Sequence, residues 1–98
     1  MKLQLTPQPP RIGAATVTID LTDAGAKPVS GARIKLEGDM AHPGMAPVFG
    51  EARELTPGHF EGKLDLTMAG DWVVLVHITL AGGQQIERQV DVRGVQPK

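Results

Sequence analysis

The sequence predicts an all-β fold, a seven-stranded antiparallel immunoglobulin-like β-sandwich, on the strength of three observations. Eight prolines and twelve glycines are spread over the 98 residues, so turn-forming residues recur along the whole chain. Between them, apolar and polar residues alternate at every second position, which is the period of a strand with one buried face. No long stretch has the spacing of an amphipathic helix, and seven alternating runs are the number that an immunoglobulin-like sandwich requires.

The seven predicted strands follow one another with turns between them. The sixth is the most apolar, which predicts a central strand whose Trp72 lies in the core, with Met68 packed beneath it. The fourth carries Glu51, Arg53 and Glu54 and is expected near a sheet edge. The predicted strands cover residues 3–5, 15–21, 32–37, 49–55, 60–66, 72–80 and 86–93.

Composition limits the classes of protein to which the chain can belong. Its length predicts one domain, residues 1–98. A formal net charge of −1, with acids and bases interspersed, argues against a nucleic-acid partner or an anionic membrane, which both require a basic face. The absence of cysteine excludes disulfide scaffolds, thiolate zinc sites and cysteine nucleophiles. No apolar run is long enough to span a bilayer, so no direct membrane contact is expected within this segment.

The stretch at residues 39–47 interrupts the alternation and concentrates soft donor atoms. Met40, His42 and Met45 supply two thioethers and one imidazole within six residues. Cu(I) is a soft ion that prefers these donors to carboxylates, and Pro43-Gly44 can turn the loop so that the three side chains converge. The stretch therefore predicts a Cu(I) site of modest affinity, suited to transfer. The alternative is that the two methionines close the end of the sandwich as adaptable core residues, with His42 exposed to solvent.

Two further histidines are candidate ligands. The alternation places His59 outward at the start of its strand and His77 outward in the middle of its strand. Isolated histidines of this kind are more often surface residues than ligands. His59 is the better candidate of the two, because a loop can reach a strand end, and it completes the predicted metal set of Met40, His42, Met45 and His59.

Three local patterns, in this order and spacing, resemble a known family. They are residues 10–13 (PRIG) followed by 28–32 (PVSGA), residues 40–45 (MAHPGM), and residues 58–62 (GHFEG) leading to 68–72 (MAGDW). Together they resemble the YtkA-like domain family, which is related to FixH-like domains, and the resemblance covers about residues 9–93. The resemblance implies a small immunoglobulin-like β-sandwich from an exported or membrane-anchored bacterial protein, in the context of copper handling, heavy-metal efflux or haem-copper oxidase assembly. It also implies a periplasmic or extracytoplasmic location, reached through an export or anchor segment that this sequence lacks.

The resulting expectation is a small extracytoplasmic metal-binding module that binds or transfers Cu(I) through the Met/His loop. The alternative is a non-catalytic structural or protein-interaction domain of a membrane-anchored efflux or oxidase-assembly protein, in which the loop contacts a partner protein. Catalysis is not expected, because the acids are dispersed on outward strand faces and the single serine, Ser30, has no nucleophile motif. The mixed polarity of the outward faces predicts a monomer.

Overall fold

The computed structural model of the protein describes residues 2–6, 9–40 and 46–97. This part of the chain contains seven antiparallel strands and no helix, which confirms the all-β prediction and every one of the seven predicted strands. No helix long and apolar enough to cross a bilayer is found there. The strands are β1 (Lys2–Thr6), β2 (Gly13–Asp20), β3 (Arg33–Met40), β4 (Val48–Thr56), β5 (His59–Leu66), β6 (Gly70–Thr79) and β7 (Gln85–Val95).

All seven strands belong to one sheet, in the order β1-β2-β5-β4-β3-β6-β7. The strand β4 pairs with β3 from Val48 to Ala52 and with β5 from Ala52 to Thr56, so it changes partner at Ala52. The seven antiparallel strands are therefore continuous rather than divided between two separate sheets. The expectation that β4 lies near a sheet edge is wrong, because the edges are β1 and β7.

The sheet curls until its two edges approach each other. Gln96, which follows β7, donates its backbone N–H to the carbonyl of Pro10, and it accepts a hydrogen bond from the N–H of Ile12 at 3.0 Å. Residues 10–12 lead into β2, next to the opposite edge strand β1. These two hydrogen bonds connect the segment after β7 with the segment before β2, and so hold the two edges of the curled sheet near each other.

Two glycines allow β4 and β5 to cross closely where β4 changes partner. A Cβ atom on Gly50 would collide with the carbonyl oxygen of Lys63, and one on Gly62 would collide with the carbonyl oxygen of Glu51. Backbone atoms cannot move aside as the end of a flexible side chain can. The absence of a side chain at both positions is therefore a steric requirement of the crossing.

The concave side of the sheet holds one apolar core. Trp72 and Phe60 are its largest fully buried side chains, and Trp72 is only 1% exposed, which confirms the prediction for this residue. The indole Nε1 donates to the backbone carbonyl of Met68 at 2.9 Å. The prediction that Met68 packs beneath the tryptophan is wrong, because its side chain is 44% exposed and only its carbonyl makes this contact.

Because the strands are antiparallel, strand ends and strand starts meet at two opposite ends of the sheet. At one end β3 ends and β4 and β6 begin, and this is called the Met40 end below. At the other end β2 and β4 end and β5 begins, and this is called the His59 end. The strand β4 runs from the first end to the second.

Candidate functional site

Met40 is the last residue of β3 and lies at the mouth of the core. It pairs across the sheet with Trp72, and its side chain is half-buried and packs against the core. Gly70 leaves room for it, since a Cβ atom there would lie 3.3 Å from the Met40 methyl carbon. The Met40 side chain therefore packs partly against the apolar interior and is partly exposed at the end of the sheet, as expected of an adaptable methionine.

His42 and Met45 lie outside the described residues. Ala46 is the first described residue after this segment and is exposed, and β4 begins at Val48 opposite Gly38. The strand pair β3–β4 thus fixes both ends of the segment that carries these two donors. Of the three residues that the Met/His stretch contributes, the structure places Met40.

His59 lies at the other end of the molecule. It is the first residue of β5, and its Nδ1 is 2.7 Å from Oδ1 of Asp20, the last residue of β2. The nine-residue strand β4 separates it from the Met40 end, a distance of roughly 26 Å for eight steps of about 3.3 Å each. The structure therefore does not bring His59 together with Met40, and one ion cannot bind both.

His77 faces outward from the middle of β6, as its alternation predicts, and lies between two carboxylates. Its Nε2 is 3.7 Å from Oε1 of Glu37, and its Nδ1 is 3.8 Å from Oε1 of Glu87. Hydrogen bonding to the Asp39 carboxyl, together with partial burial, raises the pKa of Glu37, while His77 acts in the opposite direction. The distances describe loose ion pairs on a surface rather than a ligand cluster.

Within the described residues, no three side chains of His, Cys, Asp or Glu converge in a way that would hold a metal ion. Thioethers are a different class of donor, which soft metal ions prefer. The only donor set with that character is the one in the Met/His stretch, which Met40 begins.

The carboxylate of Glu54 connects two loops at the His59 end, and sequence reasoning missed it. It accepts backbone hydrogen bonds from Gly31 at 3.1 Å and from Gly58 at 3.2 Å. The N–H of Gly31, the side chain of Ser30 and the N–H of Gly58, in that order, lower the pKa of Glu54. The role of this residue is structural, because it ties the loop before β3 to the β4–β5 turn.

The fold is that of a small all-β domain, with the thioether of Met40 at one end of a curled antiparallel sheet. The family profile of YtkA-like proteins matches residues 1–77, which is more than three quarters of the chain and includes the whole Met/His stretch. The chain therefore belongs to the YtkA-like family, which confirms the resemblance inferred from its motifs. Searches of curated proteins and of solved structures gave no match.

Proposed function

We propose that this YtkA-like domain is a non-catalytic, extracytoplasmic module that binds a soft metal ion, Cu(I), through Met40, His42 and Met45. The observation that carries the proposal is the position of Met40, whose half-buried thioether lies at the end of β3 immediately before the segment with the other two donors. The immunoglobulin-like arrangement of the strands and the extracytoplasmic location belong to the same proposal and rest on the family resemblance.

The donor set fits Cu(I) better than any hard cation. Two neutral sulfurs and one neutral nitrogen match a soft monovalent ion, whereas Mg²⁺ and Ca²⁺ require several oxygens. No thiolate is available, since the chain has no cysteine, and a site without thiolate binds copper with modest affinity. The ion is then cargo to be passed on, and His59 is not part of the site.

A fluorescence titration tests this proposal directly. Trp72 is the only tryptophan in the chain and pairs with Met40, so an ion bound at Met40 should quench its emission. We expect saturable quenching by Cu(I) under anaerobic reducing conditions, and by Ag(I) as a redox-inert substitute. Met40→Leu and Met45→Leu should each abolish it, while the matched control Met68→Leu should not.

The same variants separate metal binding from core packing. Exchange of methionine for leucine nearly conserves volume and apolarity, so Met40→Leu/Met45→Leu should cost less than about 1.5 kcal/mol of stability. A larger loss would identify these residues as core components. Unchanged Trp72 emission at micromolar metal, with no shift of the methionine methyl or histidine ring resonances, would refute the Cu(I) proposal.

One observation favours the alternative of a structural or interaction domain. Phe49, on β4, is 70% exposed, which is unusual for a large aromatic side chain on a strand face. It pairs with Glu37 of β3, on the convex side of the sheet. A partner protein that covers this side chain would account for its exposure.

A further inference from the structure

The convex face of β3 carries an ordered row of charges. Its outward residues, from the His59 end to the Met40 end, are Arg33, Lys35, Glu37 and Asp39, two cations followed by two anions. The inward residues between them are buried. Such a row is complementary to itself when a second copy lies over it in the opposite direction.

The charges in this row lack strong partners inside the molecule. Among the described residues, neither Arg33 nor Lys35 takes part in an ion pair. The ion-pair contact of Glu37 is the loose one of 3.7 Å with His77, beside its hydrogen bond to Asp39. Hydrogen bonding of the Glu37 carboxyl to Asp39 is the main cause of the raised pKa of Glu37, and burial and the Asp39 charge raise it further. The anionic half of the row would be stabilised by cations from outside, and the cationic half by anions.

The surroundings of the row suit a docked surface. An open depression of about 550 Å³ lies beside its cationic half and is lined in part by Arg33, Lys35 and Thr79. Beside the anionic half, Val73 and Leu75 of β6 are paired with Asp39 and Glu37, and both are half-buried apolar side chains on the convex face. The convex face thus combines the charged row of β3 with two apolar side chains of β6 beside its anionic half.

We propose that the convex face is an interface between two copies of this chain. The two copies are related by a two-fold axis that runs between their β3 strands, perpendicular to them, at the level of Leu36. In this arrangement the β3 strands lie antiparallel, Glu37 faces Lys35 of the second copy, and Asp39 faces Arg33 of the second copy. The two-fold axis repeats each contact, so the dimer has four ion pairs. The carboxylates enter the depression beside the cationic half.

The proposal replaces the expectation of a monomer. Mixed polarity on an outward face argues against association only when the charges are randomly placed, and here the register places them in a self-complementary order. The interface is independent of the Cu(I) site, because it uses none of the proposed ligands. It also assigns a defined partner to the alternative of an interaction domain.

Sedimentation equilibrium with a metal chelator present tests the proposal. The monomer mass is 10.4 kDa, and we expect a mass approaching twice that value at high protein concentration and low salt. Association should weaken as salt rises from about 0.05 to about 0.5 M, because the screening length becomes shorter than the spacing of the row. A mass of 10.4 kDa under all conditions overturns the proposal.

Charge-exchange variants show whether β3 forms the interface. Lys35→Glu or Glu37→Lys alone should weaken self-association by about tenfold or more, because like charges then face each other. An equimolar mixture of the two variants should associate again, and so should the double variant Lys35→Glu/Glu37→Lys, since both restore opposite charges. Circular dichroism confirms that each variant is folded.

The matched controls are Lys63→Glu and Asp65→Lys, which make the same charge changes at exposed positions of β5. We expect self-association to be unaffected by either control. Equal effects of the controls and the β3 variants, or no rescue in the mixture, would overturn the assignment of the interface. Binding of a different protein by the wild type, without self-association, would also overturn it.

Discussion

At the scale of single residues, the side chains at the two ends of the sheet make different kinds of contact. Glu54 and His59 both lie at the His59 end, where each holds a neighbouring segment: Glu54 binds the N–H groups of Gly31 and Gly58, and His59 contacts Asp20. Met40 lies at the other end, where its thioether is only half-buried. The polar contacts of Glu54 and His59 are therefore spatially separated from Met40.

Replacing Glu54 by Gln should destabilise the protein at neutral pH and hardly at all in acid. The folded-state pKa of Glu54 lies below the ordinary glutamate value of 4.5. Its ionised form therefore contributes stability above about pH 4.5, and this contribution is lost as pH falls through the folded-state pKa. Thermal unfolding across this range should show the melting temperatures of wild type and variant converging on the acid side. Glu51→Gln, at an exposed position on the same strand, is the control, and a constant difference across pH would contradict this role.

At the scale of the elements, the positions of the strands can be predicted from the sequence, but the strands with which β4 pairs cannot. Strict alternation and Gly/Pro turns are local properties, and they predict all seven strands with bounds that differ by a few residues. The exchange of partners at Ala52 depends on the approach of two backbones from distant parts of the chain. Its only local sign is the pair Gly50 and Gly62, which mark a close backbone approach without naming the strands involved.

Gly62→Ala should destabilise the fold by about 1–3 kcal/mol, because the new methyl group overlaps the backbone of β4 and the strands must move apart. Chemical denaturation followed by Trp72 emission measures the loss. Gly82→Ala is the control: a Cβ atom there has nothing within 4 Å, and a surface change of this kind stays within about 0.5 kcal/mol. Similar losses for the two variants would show that the crossing does not require glycine.

The candidate site was partly predictable from sequence, because some of its features are local along the chain and others depend on how the strands pair. The clustering of Met40, His42 and Met45 is local and visible in the chain. The exclusion of His59 could also have been predicted, since one strand and one turn separate it from the loop and a hairpin partner starts at the opposite end. The order of charges on β3 was visible too, but its neighbours on β6 required the strand register.

At the scale of the whole molecule, a few contacts near the C-terminal end hold the curl closed. Val95 is 2% exposed, Gln96 makes two backbone hydrogen bonds with residues 10 and 12, and the N–H of Gly94 donates to Asp71 at 2.9 Å. The Gln96 hydrogen bonds join the end of β7 to the segment that enters β2, and the Gly94 hydrogen bond joins β7 to β6. The two edges of the sheet depend on them, because no strand lies between β1 and β7 in the described structure.

Deletion of residues 94–98 should therefore cost roughly 3 kcal/mol or more, from the loss of one buried valine and of several backbone hydrogen bonds. Deletion of residues 97–98 alone is the control and should have little effect, since Pro97 is exposed. Urea unfolding gives both values. A loss below about 1 kcal/mol for the longer deletion would mean that the edges stay in place without this clasp.

The exchange of partners by β4 has a mechanical consequence. Because β4 pairs first with β3 and then with β5, the strands on its two sides cannot rotate against each other without breaking the hydrogen bonds of β4. We therefore expect any structural response to a bound ion or to a second copy to be confined to the turns at the Met40 end and the His59 end, while the sheet itself stays rigid.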